Sequence, residues 1–274
     1  MFQIQNLSVS VEDKEIIKDF SLEIKPGELH VLMGPNGSGK SSLSLSLSGH
    51  PKYSLSLSDQ FKSKIILDRQ NITKAKPEER ARAGLFMAFQ SPVAVPGVKI
   101  TSFLRLAYNS QASLRGGTTK QSVDHKRHGS PLRQLADRND KKAELGPLEF
   151  YQLLKKKAKL LNIPDDFLGR NLNDQFSGGE KKKMEMLQAL VLQPKYAILD
   201  EPDTGTDVDA LKIIAKAIGI LQKQGTGILL ITHYQRLLKF LKPDRVHVLK
   251  DGKLVASGSK ELVKKIEKSG YEKI

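Results

Sequence analysis

The residues with the clearest capacity for chemistry lie in one short segment, Gly34 to Ser41, which fits the pattern G-x-x-x-x-G-K-[ST]. Its three glycines let the backbone curl closely round a polyphosphate, so that several N–H groups point at phosphate oxygens. A helix that begins at the end of this loop adds the positive end of its dipole. Lys40 can then reach the β- and γ-phosphates, and the Ser41 hydroxyl can bind Mg²⁺. The segment predicts a site for a nucleoside triphosphate, and a glycine-rich turn that ends in lysine by chance is the disfavoured alternative.

Four more polar residues follow buried strands predicted elsewhere in the chain: Gln90, Asp200, Glu201 and His233. Ligands of open α/β sheets bind beyond the carboxyl ends of the strands, so these residues are expected to converge near the loop. Asp200 suits the shell of a magnesium ion, and Glu201 can orient the attacking water or accept its proton. His233 can hydrogen-bond a γ-phosphate oxygen. Because neighbouring strand residues point in opposite directions, Asp200 and Glu201 can serve different roles.

Each of these residues also has a purely structural interpretation. Asp200 and Glu201 could cap a helix, His233 could be a satisfied core histidine, and Gln90 could be an ordinary polar residue at a strand end. Taken singly, these interpretations are the better ones for Gln90 and His233. Their combination with the phosphate loop favours one site for phosphoryl-transfer chemistry, which depends on positioning and charge neutralisation.

The elements that must position these residues predict an α/β fold. Four short apolar runs are typical of buried strands, and they are Leu29–Met33, Gly84–Phe89, Tyr196–Leu199 and Gly227–Thr232. Helical spacing or position predicts helices over Leu43–Ser48, Ala75–Arg82, Glu149–Leu161, Lys181–Leu192 and Ala210–Gln224. Strands that alternate with helices indicate a parallel sheet with right-handed crossovers.

The two ends of the chain predict antiparallel structure. Phe2–Val11 alternates apolar and polar residues with one slip, and Ile16–Ile24 reads as the strand that pairs with it. Val246–Ala256 predicts a hairpin that turns at Asp251-Gly252, followed by a basic helix to the C-terminus. Lys64–Leu67 is another short strand, whereas Ser91-Pro92 and Pro96-Gly97 are expected to break regular structure.

The composition narrows the class of protein. The chain has 274 residues, of which 45 are basic and 30 acidic, for a formal net charge of +15. It has no cysteine, which excludes disulfides and thiolate metal sites of its own. It shows no secretory signal and no apolar run near the roughly 18–20 residues of a membrane helix, so a cytoplasmic location is expected. The lysines are spread over several helices, which favours a basic nucleotide-binding enzyme over a nucleic-acid platform.

One stretch, Ser110 to Lys142, differs from the rest in character. It combines low apolar content with eight Lys or Arg against three Asp, and it predicts an exposed insertion. A docking loop for a partner or polyanion and a solvated insertion without a role remain equally open interpretations. His125 and His128 are poor candidates for metal ligands, because no further ligand lies at suitable spacing.

Together these motifs resemble those of the ABC-type ATPases, and the resemblance covers nearly the whole chain. Gly34–Ser41 matches Walker A, Gln90 the Q-loop, Phe176–Glu180 the family signature, and Ala197–Glu201 Walker B. Thr204–Asp207 matches the D-loop and His233 the switch histidine. The resemblance implies one nucleotide-binding domain over residues 1–274, with a mostly parallel P-loop sheet, an antiparallel β layer and a helical subdomain. That subdomain would span about 91–190 and carry the basic insertion at 110–142.

The resemblance also implies the site residues, with ATP and Mg²⁺ as cofactors. The catalytic residues would be Glu201, His233 and Gln90, and the magnesium ligands Ser41, Gln90 and Asp200. The nucleotide-binding residues would be Gly34, Pro35, Asn36, Gly37, Ser38, Gly39, Lys40, Ser41, Ser177, Gly178 and Gly179. Two such domains would pair head to tail in a transient ATP-dependent homodimer, with each ATP between Walker A of one and the Ser177–Gly179 helix end of the other.

Within that family the chain most resembles the Suf-type iron–sulfur cluster assembly ATPases. The segments that carry this likeness are Glu78–Gln90, Pro92–Val98, Phe176–Lys182, Asp209–Lys212, Thr232–Arg236 and Val246–Leu249. The likeness implies a cytoplasmic ATPase whose dimerisation remodels SufB- and SufD-like scaffold proteins, without stable nucleic-acid partners or membrane insertion. The absent cysteines fit this interpretation, since cluster ligands would then reside in the partners.

Some residues depart from the Suf-type pattern and keep alternatives open. Pro202 is commoner in transporter ATPases, and Thr206 replaces an expected leucine in the D-loop. The insertion is longer and more basic than the family suggests. No aromatic residue near Val9–Val11 is placed to stack on adenine, which predicts weak base selectivity, and in this the chain is similar to the Suf type. The alternative function is the nucleotide-binding subunit of an ABC transporter. A nucleic-acid-repair ABC protein, a third candidate, rests on the net charge alone and would show steeply salt-dependent binding.

Overall fold

The computed structural model describes residues 1–56, 63–116, 144–233 and 236–272. The strands in chain order are β1 Phe2–Val11, β2 Lys14–Ile24, β3 Leu29–Met33, β4 Ser54–Leu55, β5 Lys64–Leu67, β6 Gln70–Asn71, β7 Leu85–Ala88, β8 Val95–Lys99, β9 Asn171–Leu172, β10 Tyr196–Asp200, β11 Gly227–Ile231, β12 Arg245–Lys250 and β13 Lys253–Gly258. The α-helices are α1 Lys40–Ser48, α2 Pro77–Ala83, α3 Ile100–Gly116, α4 Pro147–Leu160, α5 Gly178–Leu192, α6 Val208–Lys223 and α7 Glu261–Ser269, and short 3₁₀ helices cover Asp165–Gly169 and Leu237–Lys239.

The main sheet has the strand order β13-β12-β3-β11-β10-β7. Five of its strands are parallel neighbours, and β13 adds an antiparallel edge. Every residue of β3, β10 and β11 is buried, as expected for parallel strands covered on both faces. The predicted α/β class with a mostly parallel sheet is confirmed, and β3, which leads into the phosphate loop, lies in the middle of it.

A second, antiparallel sheet covers one side of the core. Its order is β2-β1-β5-β6, with β4 also paired to β1. The predicted slip in the first strand is real, because the pairing of β1 with β2 shifts register beside Asn6, whose φ is 48°. The predicted hairpin is also confirmed, since Asp251 and Gly252 both have positive φ, as a tight two-residue turn between β12 and β13 requires.

Helix α1 forms although Leu43–Ser48 has the period of a strand. Its start is set by the phosphate loop, and its end is held by the guanidinium of Arg80 from α2. That group is buried and donates to the carbonyl oxygens of Ser46 at 2.8 Å and Leu47 at 2.7 Å. A cation at the C-terminal end of a helix satisfies carbonyls that have no partner within the helix and complements its dipole.

Helix α3 was not predicted, although the sequence carries its signal. Ile100, Leu104 and Tyr108 recur at a spacing of four, and all three are buried against Phe150 of α4 and the rest of the main core. Helix α3 continues to Gly116, the last described residue before a gap, so the predicted insertion at 110–142 begins within a helix and its extent stays a prediction. Residues 110–116 are helical, whereas 117–143, including His125 and His128, lie outside the described residues.

The loop after β7 also differs from the prediction. Pro96-Gly97 was expected to break regular structure, yet it lies within the exposed strand β8, which pairs with β9. The pairing skips these residues, because only Val95 and Lys99 have Cα partners across the ribbon. An edge strand tolerates proline where no ladder N–H is needed, which explains how the segment stays extended.

The core joins the helices to the main sheet. One hydrophobic cluster runs from Leu104 and Phe150 to Leu199 of β10, and a second lies between the two sheets around Phe20 and Ile198.

The division into one domain with a helical subdomain over about 91–190 remains a proposal. Among the described residues, the helices are all too short or too polar to span a bilayer.

Two buried histidines connect the central strands β3 and β12. His247 Nε2 lies 3.1 Å from His30 Nδ1, and His30 Nε2 lies 3.2 Å from a carboxylate oxygen of Glu28. His247 Nδ1 lies 2.8 Å from the hydroxyl of Ser257. With both rings neutral, His30 Nε2 donates to Glu28, His247 Nε2 donates to His30 Nδ1, and the Ser257 hydroxyl donates to His247 Nδ1. This arrangement requires both rings to be neutral.

Burial, reinforced by His30 and Arg245, lowers the pKa of His247 to about 4, and burial also lowers the pKa of His30. Because the pKa of the histidine is lowered on folding, at a pH below the ordinary pKa of 6.5 the histidine is protonated in the unfolded chain but stays neutral in the folded chain. Stability is therefore full above pH 6.5 and falls as the pH drops toward 4. We expect His247 to account for a loss of about 2 kcal/mol between pH 7 and pH 5.

Urea unfolding at both pH values measures this loss. The variant His247→Gln should show a smaller difference in the free energy of unfolding between pH 7 and pH 5 than the parent chain does. The exposed His50→Gln serves as the control and should leave that difference unchanged. An equal pH dependence in all three proteins would contradict the assignment.

Candidate functional site

The phosphate loop joins the buried strand β3 to helix α1 through two glycines in left-handed backbone. Gly37 has φ 79° and Gly39 has φ 102°, and a Cβ on Gly39 would lie 2.7 Å from Ile17 Cδ1. Lys40 Nζ donates to the carbonyl oxygens of Gly34 at 2.8 Å and Pro35 at 2.9 Å. The lysine thereby holds the loop curled. Burial lowers the pKa of Lys40, and the nearby carboxylates of Glu201 and Asp200 oppose that shift.

The loop borders a cavity of about 800 Å³. The residues of the predicted site that line it are Asn36, Gly37, Gly39, Lys40, Ser41, Gln90, Glu201 and His233. Three separate strand ends and the phosphate loop therefore meet in one place. The cavity has the size of a ligand site and a lining rich in N–H groups and lysine, which suits a polyphosphate.

Glu201 is the most heavily hydrogen-bonded side chain at this cavity among the described residues. Its Oε2 accepts from Gln90 Nε2 at 2.6 Å and from the Thr204 hydroxyl at 3.1 Å, and its Oε1 lies 2.8 Å from His233 Nδ1. The side chain is only 5% exposed. The carboxylate is thus held between Gln90 and His233, which lies two residues after the end of β11.

The geometry corrects one step of the sequence argument about Asp200 and Glu201. They were expected to diverge because they alternate along a strand. In the structure β10 ends at Asp200, and Glu201 has φ 47°, in the left-handed region. A turn, rather than strand pleating, separates the two side chains, and the N–H of Glu201 donates to Ile231 O at 2.9 Å. Left-handed backbone in a residue other than glycine is strained and is typical of functional sites.

Asp200 lies one layer deeper than Glu201. Its Oδ2 is 2.6 Å from the hydroxyl of Ser44 in α1, while its Oδ1 is buried and has no hydrogen-bond partner. Burial is the largest influence on the pKa of Asp200 and raises it, with Lys182 and Lys40 acting in the opposite direction. A buried carboxylate oxygen without a partner is an acceptor that is available to a ligand.

Ser177, Gly178 and Gly179 lie outside the cavity. They form the start of α5, where Ser177 is the N-cap and Glu180 completes a capping box. The Ser177 hydroxyl accepts from Glu180 N at 3.3 Å, and Glu180 accepts from Ser177 N at 2.8 Å and has its pKa lowered by that bond. Ser177 and Gly178 are exposed, so this helix N-terminus can meet an anion brought by another molecule.

Hydrogen bonds hold the D-loop in place, including one from Thr206, the residue that departs from the Suf-type pattern. The Thr206 hydroxyl donates to Asp203 O at 2.8 Å, and the side chain of Asp203 accepts from Thr232 at 3.0 Å. Burial raises the pKa of Asp203 most, and the bond from Thr232 opposes it. Thr206 therefore anchors the loop through a hydrogen bond where a leucine would anchor it by packing.

Sequence reasoning missed some residues in and behind the cavity. Ser44 could have been found, because it lies three positions after Ser41 and shares its face of α1. The start of β2 and the turn of the β12–β13 hairpin carry no motif. Yet Lys14, Glu15, Ile16, Lys18, Asp251 and Gly252 all line the cavity.

Gly252, in the hairpin turn, connects the start of β2 to the phosphate loop. Its N–H donates to Ser38 O at 3.1 Å, and its carbonyl accepts from Lys18 N at 2.9 Å. A Cβ at this position would lie 2.1 Å from Ile16 O, so only glycine fits.

Comparison with known proteins gives one clear family. The model of the family described as "ABC transporter" matches residues 17–204. The chain is 43% identical over 272 residues to the "Probable ATP-dependent transporter SufC" of Escherichia coli K12, covering 99% of this chain and 97% of that protein. It is 42% identical over 272 residues to the "Probable ATP-dependent transporter ycf16" of Antithamnion sp., covering 99% and 96%.

Solved structures share the fold at lower identity. The nucleotide-free ATP-binding cassette of an ABC transporter aligns with a TM-score of 0.69 and 22% identity, covering 98% of this chain and 95% of that one. The dimeric structure of a bacterial ABC transporter cassette aligns with a TM-score of 0.68 and 18% identity, covering 94% and 98%.

Proposed function

The chain belongs to the ABC family of ATPases, and from this premise we propose that Lys40, Gln90, Asp200, Glu201 and His233 carry out Mg²⁺-dependent ATP hydrolysis in the 800 Å³ cavity. The observation that carries the assignment is the hydrogen-bonded group around Glu201, which brings Gln90 and His233 to one carboxylate beside the phosphate loop. Phosphoryl transfer depends on positioning and charge neutralisation, and these residues supply both.

The triphosphate would lie on the phosphate loop. Backbone N–H groups of Asn36 to Ser41 would bind its oxygens, together with the start of α1. Lys40 would leave the carbonyl oxygens of Gly34 and Pro35 and bind the β- and γ-phosphates instead. A loop already curled by this lysine needs little rearrangement to accept the nucleotide.

The residues present fit a magnesium ion. Mg²⁺ in nucleotide sites is bound by one or two protein oxygens, by phosphates and by water, and Asp200 Oδ1 is a buried acceptor without a partner. The described residues include no cluster of three or more His, Asp or Glu that would hold a metal without the phosphates. Ser41, Asp200 and the amide oxygen of Gln90 would hold the ion, which neutralises charge on the phosphates when bound.

Glu201 would act on the attacking water. In the structure its two oxygens accept from Gln90, Thr204 and His233, so all the donors converge on the atoms that would take the proton of the water. We propose that His233 and Gln90 exchange these contacts for the γ-phosphate and the magnesium shell once ATP is bound. Glu201 then becomes available as the acceptor for the proton of the water.

Ser44 connects this proposal to a testable effect on magnesium. Its hydroxyl is fully buried and fixes the orientation of Asp200 from the same helix that carries Ser41. Because loss of a hydrogen-bond partner of a metal ligand lowers metal affinity about 10- to 100-fold, we expect Ser44→Ala to raise the Mg²⁺ concentration needed for half-maximal turnover by about tenfold.

A magnesium titration of the ATPase rate, together with nucleotide binding without magnesium, measures this effect. Ser46→Ala is the matched control, because Ser46 is buried in the same helix but donates to Leu43 O. The control should keep the parent magnesium dependence. An unchanged titration curve in Ser44→Ala would show that Asp200 needs no help from Ser44.

We further propose that two chains pair head to tail around ATP. The start of α5, with Ser177, Gly178 and Gly179, is exposed and lies outside the cavity of its own chain. A helix N-terminus with a serine cap is suited to the γ-phosphate held by a second chain. A bacterial cassette of the same fold has a dimeric structure, which supports pairing of two chains.

For the biological role we propose the ATPase subunit of a cytoplasmic iron–sulfur cluster assembly complex. The likeness to the Escherichia coli protein SufC over 99% of the chain supports this role, and SufB- and SufD-like scaffold proteins would be its partners. An apolar groove of about 430 Å³ beside the Q-loop could receive a helix of such a partner. Phe86, Met87, Phe89 and Phe103 contribute to its lining.

The second candidate is the nucleotide-binding subunit of a transporter. Pro202 after Walker B and the word "transporter" in the names of the relatives favour it. The same groove would then hold a helix of a membrane protein.

A pull-down with the tagged Glu201→Gln variant in Mg-ATP, run separately on soluble and membrane fractions, distinguishes the two. Soluble scaffold proteins with cysteines, retained by the variant and lost with Phe103→Asp in the groove, would support the assembly role. A polytopic membrane protein retained in the same way would establish the transporter subunit instead.

A further inference from the structure

Helix α5 carries a buried pair of opposite charges behind the signature sequence. Lys182 and Glu185 are 3% and 4% exposed, and Lys182 Nζ lies 3.8 Å from Glu185 Oε2. They lie three positions apart, on the side of α5 that faces the core. Removing two charges from water is costly, and an apolar pair of similar volume would pack such a helix at least as well. The pair therefore calls for an explanation beyond helix packing.

Both side chains bind the backbone of the Q-loop. Lys182 Nζ donates to Phe89 O at 2.7 Å and to Gln90 O at 2.8 Å, and Glu185 Oε1 accepts from Phe89 N at 2.7 Å. The ladder between β7 and β10 ends at Ala88. Two residues of the signature helix thus take over hydrogen bonding at the point where the sheet stops holding the chain.

The side chain of Gln90 continues this connection to the catalytic carboxylate. Its Nε2 donates to Glu201 Oε2 at 2.6 Å, whereas the backbone to which it is attached is fixed by Lys182. A chain of direct contacts therefore runs from α5, through the pair and Gln90, to Glu201. Its other end is the helix whose first residues, Ser177 and Gly178, are exposed at the surface.

We propose that Lys182 and Glu185 are positioning residues that set Gln90 against Glu201, and that they transmit the orientation of the signature helix to the catalytic carboxylate of the same chain. The proposal rests on the roles given above to Gln90 and Glu201. In a head-to-tail pair, the helix that contacts the ATP of one site is then connected by these residues to the carboxylate that acts at the other site.

The contacts of Glu185 agree with this role. Burial raises the pKa of Glu185 to about 7, with Lys182 and the Phe89 amide opposing the shift, and Glu185 Oε2 has no hydrogen-bond partner. That oxygen faces the Lys182 ammonium at 3.8 Å, while Oε1 accepts from the Phe89 amide. Its recognition of the Phe89 amide is the contact that a hydrocarbon side chain could not provide.

The test compares variants that keep volume and remove the contacts. In Lys182→Met and Glu185→Met we expect kcat to fall by about tenfold, because a small displacement of a positioning group has a large effect on turnover. Affinity for a fluorescent ATP analogue should stay within about twofold, since neither residue borders the phosphate loop. Lys183→Met, at the next position of the same helix, is the matched control and should keep the parent kcat.

A double-mutant cycle with Gln90→Ala separates positioning from a general structural effect. If the pair acts through Gln90, Glu185→Met added to Gln90→Ala should cause no further loss of kcat in single-turnover measurements. A second full tenfold loss would overturn the proposal, as would an unchanged kcat in the folded single variants. Should a single charge left in the core prevent folding, the paired replacement Lys182→Met with Glu185→Leu carries the same test, because it removes both charges.

The outcome is distinguishable from a failure of the site assignment. Were Gln90→Ala and Glu201→Gln each to keep the parent turnover, the assignment of the site would be wrong, whatever the pair does. Were they to lose turnover while the variants of the pair keep it, the site would stand and the positioning role would be rejected.

Discussion

Replacement of Glu201 by glutamine should lower the turnover of ATP by about 10³-fold while leaving ATP binding intact. The amide cannot accept the proton of the attacking water, but it has the same shape and can still contact Gln90, Thr204 and His233. Because the nucleotide would bind without being consumed, the head-to-tail pair should accumulate in Mg-ATP. Steady-state phosphate release measures the first effect, and light scattering measures the mass of the ATP-bound species.

Asp209→Asn is the matched control for this substitution. It converts a carboxylate to an amide at the start of α6, where the side chain is 87% exposed and pairs with Lys212. Such exposed pairs contribute little, so turnover and mass should equal those of the parent chain. Turnover of Glu201→Gln close to that of the parent would show that another group activates the water.

Replacement of Lys40 by alanine should weaken ATP binding by about 100-fold. The lysine side chain is 6% exposed. Its ammonium group lies inside the curled phosphate loop, where it donates to Gly34 O. Loss of one partner of a buried, hydrogen-bonded charge pair commonly reduces binding by a few kcal/mol, which corresponds to this factor. Titration of a fluorescent ATP analogue in the presence of Mg²⁺ gives the dissociation constant directly.

Two observations separate a binding effect of Lys40→Ala from a folding effect. Lys40 also donates to Gly34 O and Pro35 O, so the variant should lose some order in the loop, which the melting temperature and the circular dichroism spectrum report. Lys212→Ala, an exposed lysine of α6, is the control and should bind ATP as the parent does. Binding of ATP by Lys40→Ala with unchanged affinity would remove this lysine from the phosphate site.

The parts of the fold that could be predicted are those whose cause is local. The phosphate loop dictates where α1 begins, so Leu43–Ser48 could be assigned to a helix against its own period of two. Short continuous apolar runs such as Leu29–Met33 form buried parallel strands, because both faces of such a strand are covered by other elements and every side chain is buried. The convergence of Gln90, Glu201 and His233 then follows from the topology, since parallel strands present their carboxyl ends on one side.

The parts that escaped prediction depend on contacts between distant segments. Nothing around Glu201 announces that β10 ends one residue earlier and that its backbone becomes left-handed, because this depends on the contact with Ile231. The pair Lys182 and Glu185 reads as part of a charged helix, and only the tertiary structure shows that both are buried against the Q-loop. Helix α3 is different, because Ile100, Leu104 and Tyr108 did carry the signal.

The contact of Gly252 with Ser38 has a consequence for the synthesis of the protein. The phosphate loop leaves the ribosome early, but its supports come late: β11 and β12, which flank β3, and the turn that holds Ser38. A nascent chain that extends just beyond the phosphate loop therefore contains the whole motif but lacks β11, β12 and the hairpin turn that surround it. Contacts between segments so far apart in sequence form slowly. Nucleotide uptake should begin only when translation has passed residue 252, so that no partly made chain can join an ATP-dependent pair.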